Sequence, residues 1–215
     1  IYYRTDNPFH NLDSAYRFIR VAEQNYKDVK PKKKGTWKEY GFTKKAIQEL
    51  KEKISTGLYE QLKGNNDFND WTVFIEKNPE AKEIRKAVFT RDSLAYEVAE
   101  KKNKSEAYAD YMKTYPRSEF YGDAKANFYI TEYREQTKDG TIKSYHRFSQ
   151  NYKESPFAQS AEDKVYEMST QANTVESLKS FIDAYPSNRN VEEAWRRLYE
   201  VYMYDYSDGR IKQFK

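Results

Sequence analysis

Cysteine is absent from the 215 residues, which excludes disulfides, thiol nucleophiles and thiolate metal sites. The two histidines, His10 and His146, lie far apart, and no H-E-x-x-H, P-loop or G-x-G-x-x-G pattern occurs. No metal or cofactor is therefore expected. No apolar run is long enough to cross a membrane, and mean hydropathy is −1.11. A secretory leader is not visible, so any export signal or lipid anchor is expected upstream of Ile1. Glycine and proline are scarce, at 7 and 6, which favours long helices joined by short turns. Aliphatic residues are scarce too: Leu, Ile, Val and Phe total 38, a level common in disordered chains. The high net charge that usually accompanies disorder is missing, since the sum is only +4.

What fills the gap is rings. Tyr 21, Phe 12 and Trp 3 supply large buried areas per residue, so the expected core is aromatic. These rings recur. Trp71, Tyr108, Tyr145 and Leu178 each stand three residues before Phe74, Tyr111, Phe148 and Phe181. Four residues further come Asn78, Tyr115, Tyr152 and Tyr185, and nine beyond those stand Ala87, Ala124, Ala161 and Ala194. The copies are 37, 37 and 33 residues apart, and Ile211 with Phe214 restarts the pattern near the end.

Offsets of 0, +3 and +7 put three large side chains on one helical stripe. A second stripe follows each alanine, as in Ala194, Leu198, Val201 and Tyr202. Breakers separate the stripes: Asn78-Pro79, Tyr115-Pro116-Arg117-Ser118 and Tyr185-Pro186-Ser187. In the third copy Ser155-Pro156 reads as an N-cap followed by proline at the first helical position. Asn103-x-x-Glu106, Asn173-x-x-Glu176 and Asn190-x-x-Glu193 have capping-box spacing. Each copy is expected to be a helix–turn–helix hairpin, with alanine where helices approach most closely. The N-terminal part carries stripes at Leu12, Ala15, Tyr16, Ile19, Ala22, Tyr26 and at Phe42, Ala46, Ile47, Leu50, Ile54, Leu58, Leu62. A loop over 29–41 is expected between them.

The spacing of Tyr108, Tyr111, Tyr115, Ala124 and Phe128 resembles the tetratricopeptide repeat, as do Tyr145, Phe148, Tyr152, Ala161, Val165 and Leu178, Phe181, Tyr185, Ala194, Leu198. Trp71, Phe74, Asn78 and Ala87 form a weaker copy, with Arg91 in the bulky position. Two departures from the family stand out: Ile75, Met112, Ser149 and Ile182 replace its small glycine, and proline sits inside the hairpin rather than closing it. The resemblance implies an all-α fold, a right-handed solenoid of about five antiparallel hairpins. These would be a divergent capping hairpin over 1–65, repeats over 66–102, 103–138, 139–172 and 173–206, and the start of another at 207–215. Tyr115-Pro116-Arg117-Ser118 is similar to repeats of bacterial envelope proteins, such as the outer-membrane lipoprotein of the barrel-assembly machinery and the Tol–Pal coordinator. The Tyr, Asn and Lys content is similar to envelope repeat proteins of type IX secretion and gliding.

That resemblance implies a non-catalytic protein-interaction scaffold, periplasmic or outer-membrane-associated, with a protein partner and no nucleic acid. The cytoplasm is the other location considered. In the family the first helix of each hairpin lines a groove through positions +1 and +5 from the first anchor. Here these are Thr72, Glu76, Ala109, Lys113, His146, Gln150, Lys179 and Asp183. The family's two-carboxylate clamp is not reproduced. Lys113, His146, Arg147 and Lys179, with Lys143 a turn away, form a candidate cationic groove instead.

Lys27, Lys30, Lys32, Lys33 and Lys34 are the densest charge cluster, in a stretch 27–53 carrying +6. They are a candidate contact for anionic lipid, cell wall or an acidic partner, against the plainer reading of a solvated face. The alternative function is a peptidoglycan or glycan module using exposed tyrosines, with Tyr204 and Tyr206 as candidates against the plainer expectation that the rest of the next hairpin covers them.

Overall fold

The computed structural model describes residues 2–7 and 10–211, those from 205 onward by backbone alone. Among them are eleven helices and no strand: α1 Leu12–Asp28, α2 Pro31–Glu39, α3 Lys44–Leu62, α4 Phe68–Lys77, α5 Ile84–Lys102, α6 Ser105–Thr114, α7 Tyr121–Gln136, α8 Ile142–Asn151, α9 Ala158–Ser169, α10 Val175–Ala184 and α11 Val191–Ile211. The protein is all-α. It divides into two compact units, one made of residues 1–101 with 115–121, the other of 102–114 with 122–215.

The sequence period reappears as helix period. Helices α4, α6, α8 and α10 are ten residues each, and their starts step by 37, 37 and 33 residues. The starts of α5, α7, α9 and α11 step by the same intervals. All four frame alanines, Ala87, Ala124, Ala161 and Ala194, are fully buried, and Trp71, Phe74, Tyr108, Tyr111, Phe148, Leu178 and Phe181 lie in the core. A methyl is the largest side chain that fits where the backbones of paired helices come together, so the small residue is required at closest approach.

The connectors repeat bond for bond. The amide N–H groups of Ala81, Ser118, Ser155 and Asn188 donate to the carbonyls of Asn78, Tyr115, Tyr152 and Tyr185 at 2.9–3.1 Å. A second turn follows, in which the N–H groups of Ile84, Tyr121, Ala158 and Val191 donate to the carbonyls of Ala81, Ser118, Ser155 and Asn188 at 3.1–3.2 Å. Where the residue is polar its side chain joins in: Ser118 Oγ accepts from the Phe120 N–H, Ser155 Oγ from Phe157 and Asn188 Oδ1 from Asn190. Ser155 thus stabilises a turn rather than a helix N-terminus, and α9 begins three residues later, at Ala158, with Pro156 outside it. Two consecutive turns reverse the chain without a long loop.

In the first unit α1 packs on α3 and α3 on α4, around Leu12, Tyr16, Ile19, Ile54, Leu58, Tyr59, Trp71, Phe74 and Ala87. Gly57 lets Leu12 lie against α3, because a β-carbon there would come within 2.8 Å of Leu12 Cδ1. The connector 115–121 belongs to this unit and covers α5: the Arg91 guanidinium sits 4.9 Å over the Tyr115 ring, and Phe120 contacts Phe89 and stacks on Tyr96. In the second unit α8 packs on α9, and α10 packs on both α9 and α11.

Several expectations are corrected. Asn103 and Asn173 are not N-caps; they take φ of +47° and +50°, the left-handed conformation that asparagine tolerates. Gly140, at φ +63°, takes the same role before α8. The caps are one residue later: Thr141 accepts from the Ser144 N–H, and Thr174 forms a capping box with Ser177. An arginine from the second helix of the same hairpin clamps each asparagine, Arg134 on Asn103 and Arg197 on Asn173. Asn190 donates its side-chain amide to Asp163 and its backbone N–H to Asn188 Oδ1, the bond that a capping box would give to Glu193.

The 29–41 loop is largely helical. Pro31 opens α2 at a position where its missing N–H is not needed, and Gly35 lies in the helix interior. Phe42, expected in the core, is 60% exposed. The break expected at 207 is not there, because α11 continues to Ile211; Phe214 lies outside the described residues, as does the side chain of Ile211.

Candidate functional site

The second unit contains a surface whose counterpart one repeat earlier, on α9, is used within the chain. On α9, the edge formed by Gln159, Glu162, Asp163 and Tyr166 is covered by the hairpin that follows. Tyr166 meets Phe181 edge-on at 5.2 Å. Asn188 donates to the Glu162 carbonyl, Asn190 to Asp163, and Arg189 to Gln159. One step earlier, α7 is covered along a neighbouring edge: Tyr133 lies 5.0 Å from Phe148 and 5.1 Å from Phe157, and the Tyr152 hydroxyl donates to buried Glu132, whereas Gly122, Lys125 and Ala126, the counterparts of Gln159, Glu162 and Asp163, are exposed.

Moved on by the 33-residue step, the α9 edge becomes Glu192, Trp195, Arg196 and Tyr199 on α11. Here the rings are exposed. Trp195 is 56% and Tyr199 66% accessible, and Tyr202 and Met203 continue the face one turn on. Spacing of 0, +4 and +7 places Trp195, Tyr199 and Tyr202 on one stripe. Arg196 flanks it, held by a bidentate bond to Glu193 and a second to Glu200. Three adjacent exposed rings exceed the scattered apolar residues expected on a monomer surface. The chemistry offered is apolar and aromatic contact with a polar rim.

The cations expected in a groove all lie in this unit. Lys113 on α6, Lys143 on α8 and Lys179 on α10 are exposed and make no ion pair among the described residues. His146 turns toward Tyr185, ring centroids 4.9 Å apart, and joins Gln150 and Asn188 around a shallow cleft of about 190 Å³. Arg147 reaches Gln136 at 3.5 Å. Among the described residues no His, Asp or Glu cluster is placed to hold a metal ion.

In the first unit, Lys27, Lys30, Lys32 and Lys33 are exposed around α2. Lys34 folds back, its ammonium 3.4 Å from the Lys27 carbonyl and 5.2 Å above the Tyr26 ring. Charged chemistry of another kind lies deeper in that unit. Lys51 on α3 is 8% exposed and bonded to Glu23 at 3.0 Å and Glu80 at 2.5 Å. Burial pulls its pKa down, but the bonds to Glu80 and Glu23 outweigh that, and the net direction is upward. Glu80 is correspondingly lowered by the Lys51 hydrogen bond. This network ties α1, α3 and the α4–α5 connector together, and Glu23 also lines an open cleft of about 740 Å³ beside Asp13, Arg17, Arg20 and Lys27.

Sequence reasoning picked Tyr204 and Tyr206 as candidate exposed rings. Tyr204 is exposed, and the Tyr206 side chain lies outside the described residues. It missed Trp195 and Tyr199. A signal existed: the position after each frame alanine is Val88, Lys125 and Glu162 in earlier copies, then Trp195.

No family model, curated protein or solved structure matches this chain. No helix among the described residues is long and apolar enough to cross a membrane.

Proposed function

We propose that the chain is a non-catalytic interaction scaffold of tetratricopeptide-like hairpins, stacked as a right-handed solenoid, that receives a helix of a partner protein on the Trp195–Tyr199–Tyr202 face of α11. One observation carries the reading: the same edge on α9 is already used within the chain to receive a helix, through Tyr166 against Phe181. A helix presenting a large ring or leucine at 0, +3 and +7 fits this edge, because that is the pattern α10 offers to α9 with Leu178, Phe181 and Tyr185. Rings at the centre of such a face supply most of the binding energy, with Arg196 at the rim. The resemblance of Tyr115-Pro116-Arg117-Ser118 to envelope repeats supports a place in the bacterial periplasm or at the outer membrane, in an assembly or secretion complex.

The test is a photo-crosslinking amino acid at Tyr199 in the full-length protein in its native cells. The reading expects one dominant cross-linked protein, mapped to a helical segment, and loss of the adduct on Trp195→Ser. Cross-links only between copies of the chain, or adducts scattered over many proteins, would contradict it. The exposed Trp195 and Tyr199 rings also suit sugar stacking, which favours a second reading as a peptidoglycan or glycan module. That reading expects retention on isolated peptidoglycan that disappears in Trp195→Ser and Tyr199→Ser, and absence of retention removes it.

A further inference from the structure

The N-terminal corner has a second feature, independent of α11. Helices α1, α2 and α3 enclose an open cleft of about 560 Å³ walled by Tyr26, Trp37, Tyr40, Phe42 and Ile47. Its wall is mostly apolar surface, whose polar groups are the Asn25 and Thr36 side chains and the tips of the Tyr26, Tyr40 and Trp37 rings. Tyr26 and Trp37 face each other at 6.3 Å, while Tyr40 is 76% and Phe42 60% exposed. Helix α2 contains no buried residue, so it is not held there by a core of its own. The flanking sequence 27–45 supplies eight lysines against Asp28 and Glu39. The cleft thus joins a mostly apolar interior to flanking segments of net positive charge, and Lys34 above Tyr26 places an ammonium on the wall itself.

This pairing discriminates between ligands. A peptide or nucleic acid would need partners for its backbone or bases, and the wall has few. A plain acidic protein surface would use the lysines and leave Tyr40 and Phe42 in water. An anionic lipid surface uses both: exposed rings enter the interface, and lysine stems lie along the apolar surface while their ammonium groups meet phosphate. We propose that the α1–α2–α3 corner docks on anionic phospholipid, with Tyr40 and Phe42 in the glycerol region, the cleft taking the upper part of an acyl chain, and Lys27, Lys30, Lys32, Lys33 and Lys34 holding headgroups.

Co-flotation with vesicles of phosphatidylcholine alone, or containing one quarter phosphatidylglycerol, tests this at 0.1 M salt. Binding is expected to the anionic vesicles only, to fall with added salt, and to weaken at least tenfold when Lys30, Lys32 and Lys33 become Gln. Tyr40→Ser with Phe42→Ser is expected to weaken binding severalfold while the circular dichroism spectrum, which reports helix, stays unchanged. The control Lys101→Gln, Lys102→Gln, Lys104→Gln removes three exposed lysines elsewhere and is expected to bind as the parent does. Equal loss in the control, indifference to the ring substitutions, or no binding to anionic vesicles would overturn the proposal. Binding of soluble dihexanoyl-phosphatidylglycerol without vesicle binding would overturn the membrane as the source and leave a soluble-lipid cleft.

Discussion

Replacing Tyr152 by Phe removes one oxygen and leaves the ring. That ring, at the end of α8, stacks on Phe148 at 5.0 Å and meets Phe128 edge-on at 6.4 Å, contacts a phenylalanine preserves. What is lost is the hydroxyl donor to Glu132, a carboxylate only 6% exposed on α7 whose other donor is the Gln136 amide. Leaving a buried carboxylate short of a partner costs about 1–3 kcal/mol. For a chain of this size that is roughly 2–4 °C of Tm per kcal/mol. Tyr185 holds the equivalent position one hairpin later, with rings His146 and Phe181 beside it and no hydroxyl bond among those described. Tyr185→Phe should therefore stay within about 0.5 kcal/mol of the parent.

The pair also has a pH signature. Burial, then the neighbouring Glu132, pushes the Tyr152 pKa up to about 12. An unfolded tyrosine ionises near 10, so between about 10 and 12 the unfolded state loses a proton that the folded state keeps. The contribution is complete below pH 10 and lost as pH rises toward 12. Thermal melts by circular dichroism from pH 7 to 11 should show a shallower alkaline decline in Tyr152→Phe than in the parent. In a Glu132→Gln background the Tyr152→Phe cost should shrink, since no buried charge remains to be orphaned. Equal melting of Tyr152→Phe and Tyr185→Phe, with the same alkaline slope, would refute the reasoning.

Lys51→Ala should destabilise by about 1–3 kcal/mol in urea titrations, because Glu23 keeps a half-buried charge without its partner, whereas Lys51→Met, which preserves the stem, should cost less. The upward shift of Lys51 means that its contribution is complete below the usual lysine range and lost at pH above it, so the gap between parent and Lys51→Met should close at strongly alkaline pH. Asn173→Ala, at φ +50°, should cost about 1–2 kcal/mol, while Asn173→Gly, which adopts that conformation without strain, should stay near the parent despite losing the Arg197 bond; equal melting points for the two would contradict the conformational reading.

The repeating core was legible in sequence because it depends on residue size at fixed spacing. Ala161 and Phe148 are both 0% exposed, where a helical period predicts them. Turn chemistry was less legible. Asparagine serves equally well as an N-cap and as a left-handed residue, so Asn173-x-x-Glu176 fitted a capping box that Thr174 and Ser177 in fact form. Helix α2 was hidden because Pro31 and Gly35 are read as breakers, although proline at a first helical position breaks nothing. Lys51 falls within an apolar stripe, and its burial depends on Glu23 and Glu80, 28 and 29 residues away, which no local pattern reveals. The lysine cluster was visible; the cleft beside it required the fold of three helices.

The frame alanines sit where paired helices come together, and Ala161→Trp tests this most directly beside Ala126→Trp, an exposed alanine on α7. Overpacking should cost Ala161→Trp about 1–3 kcal/mol or more in thermal unfolding, with Ala126→Trp melting like the parent. If both variants melted together at the parent temperature, Ala161 would not lie between packed helices and the repeat frame would be wrong.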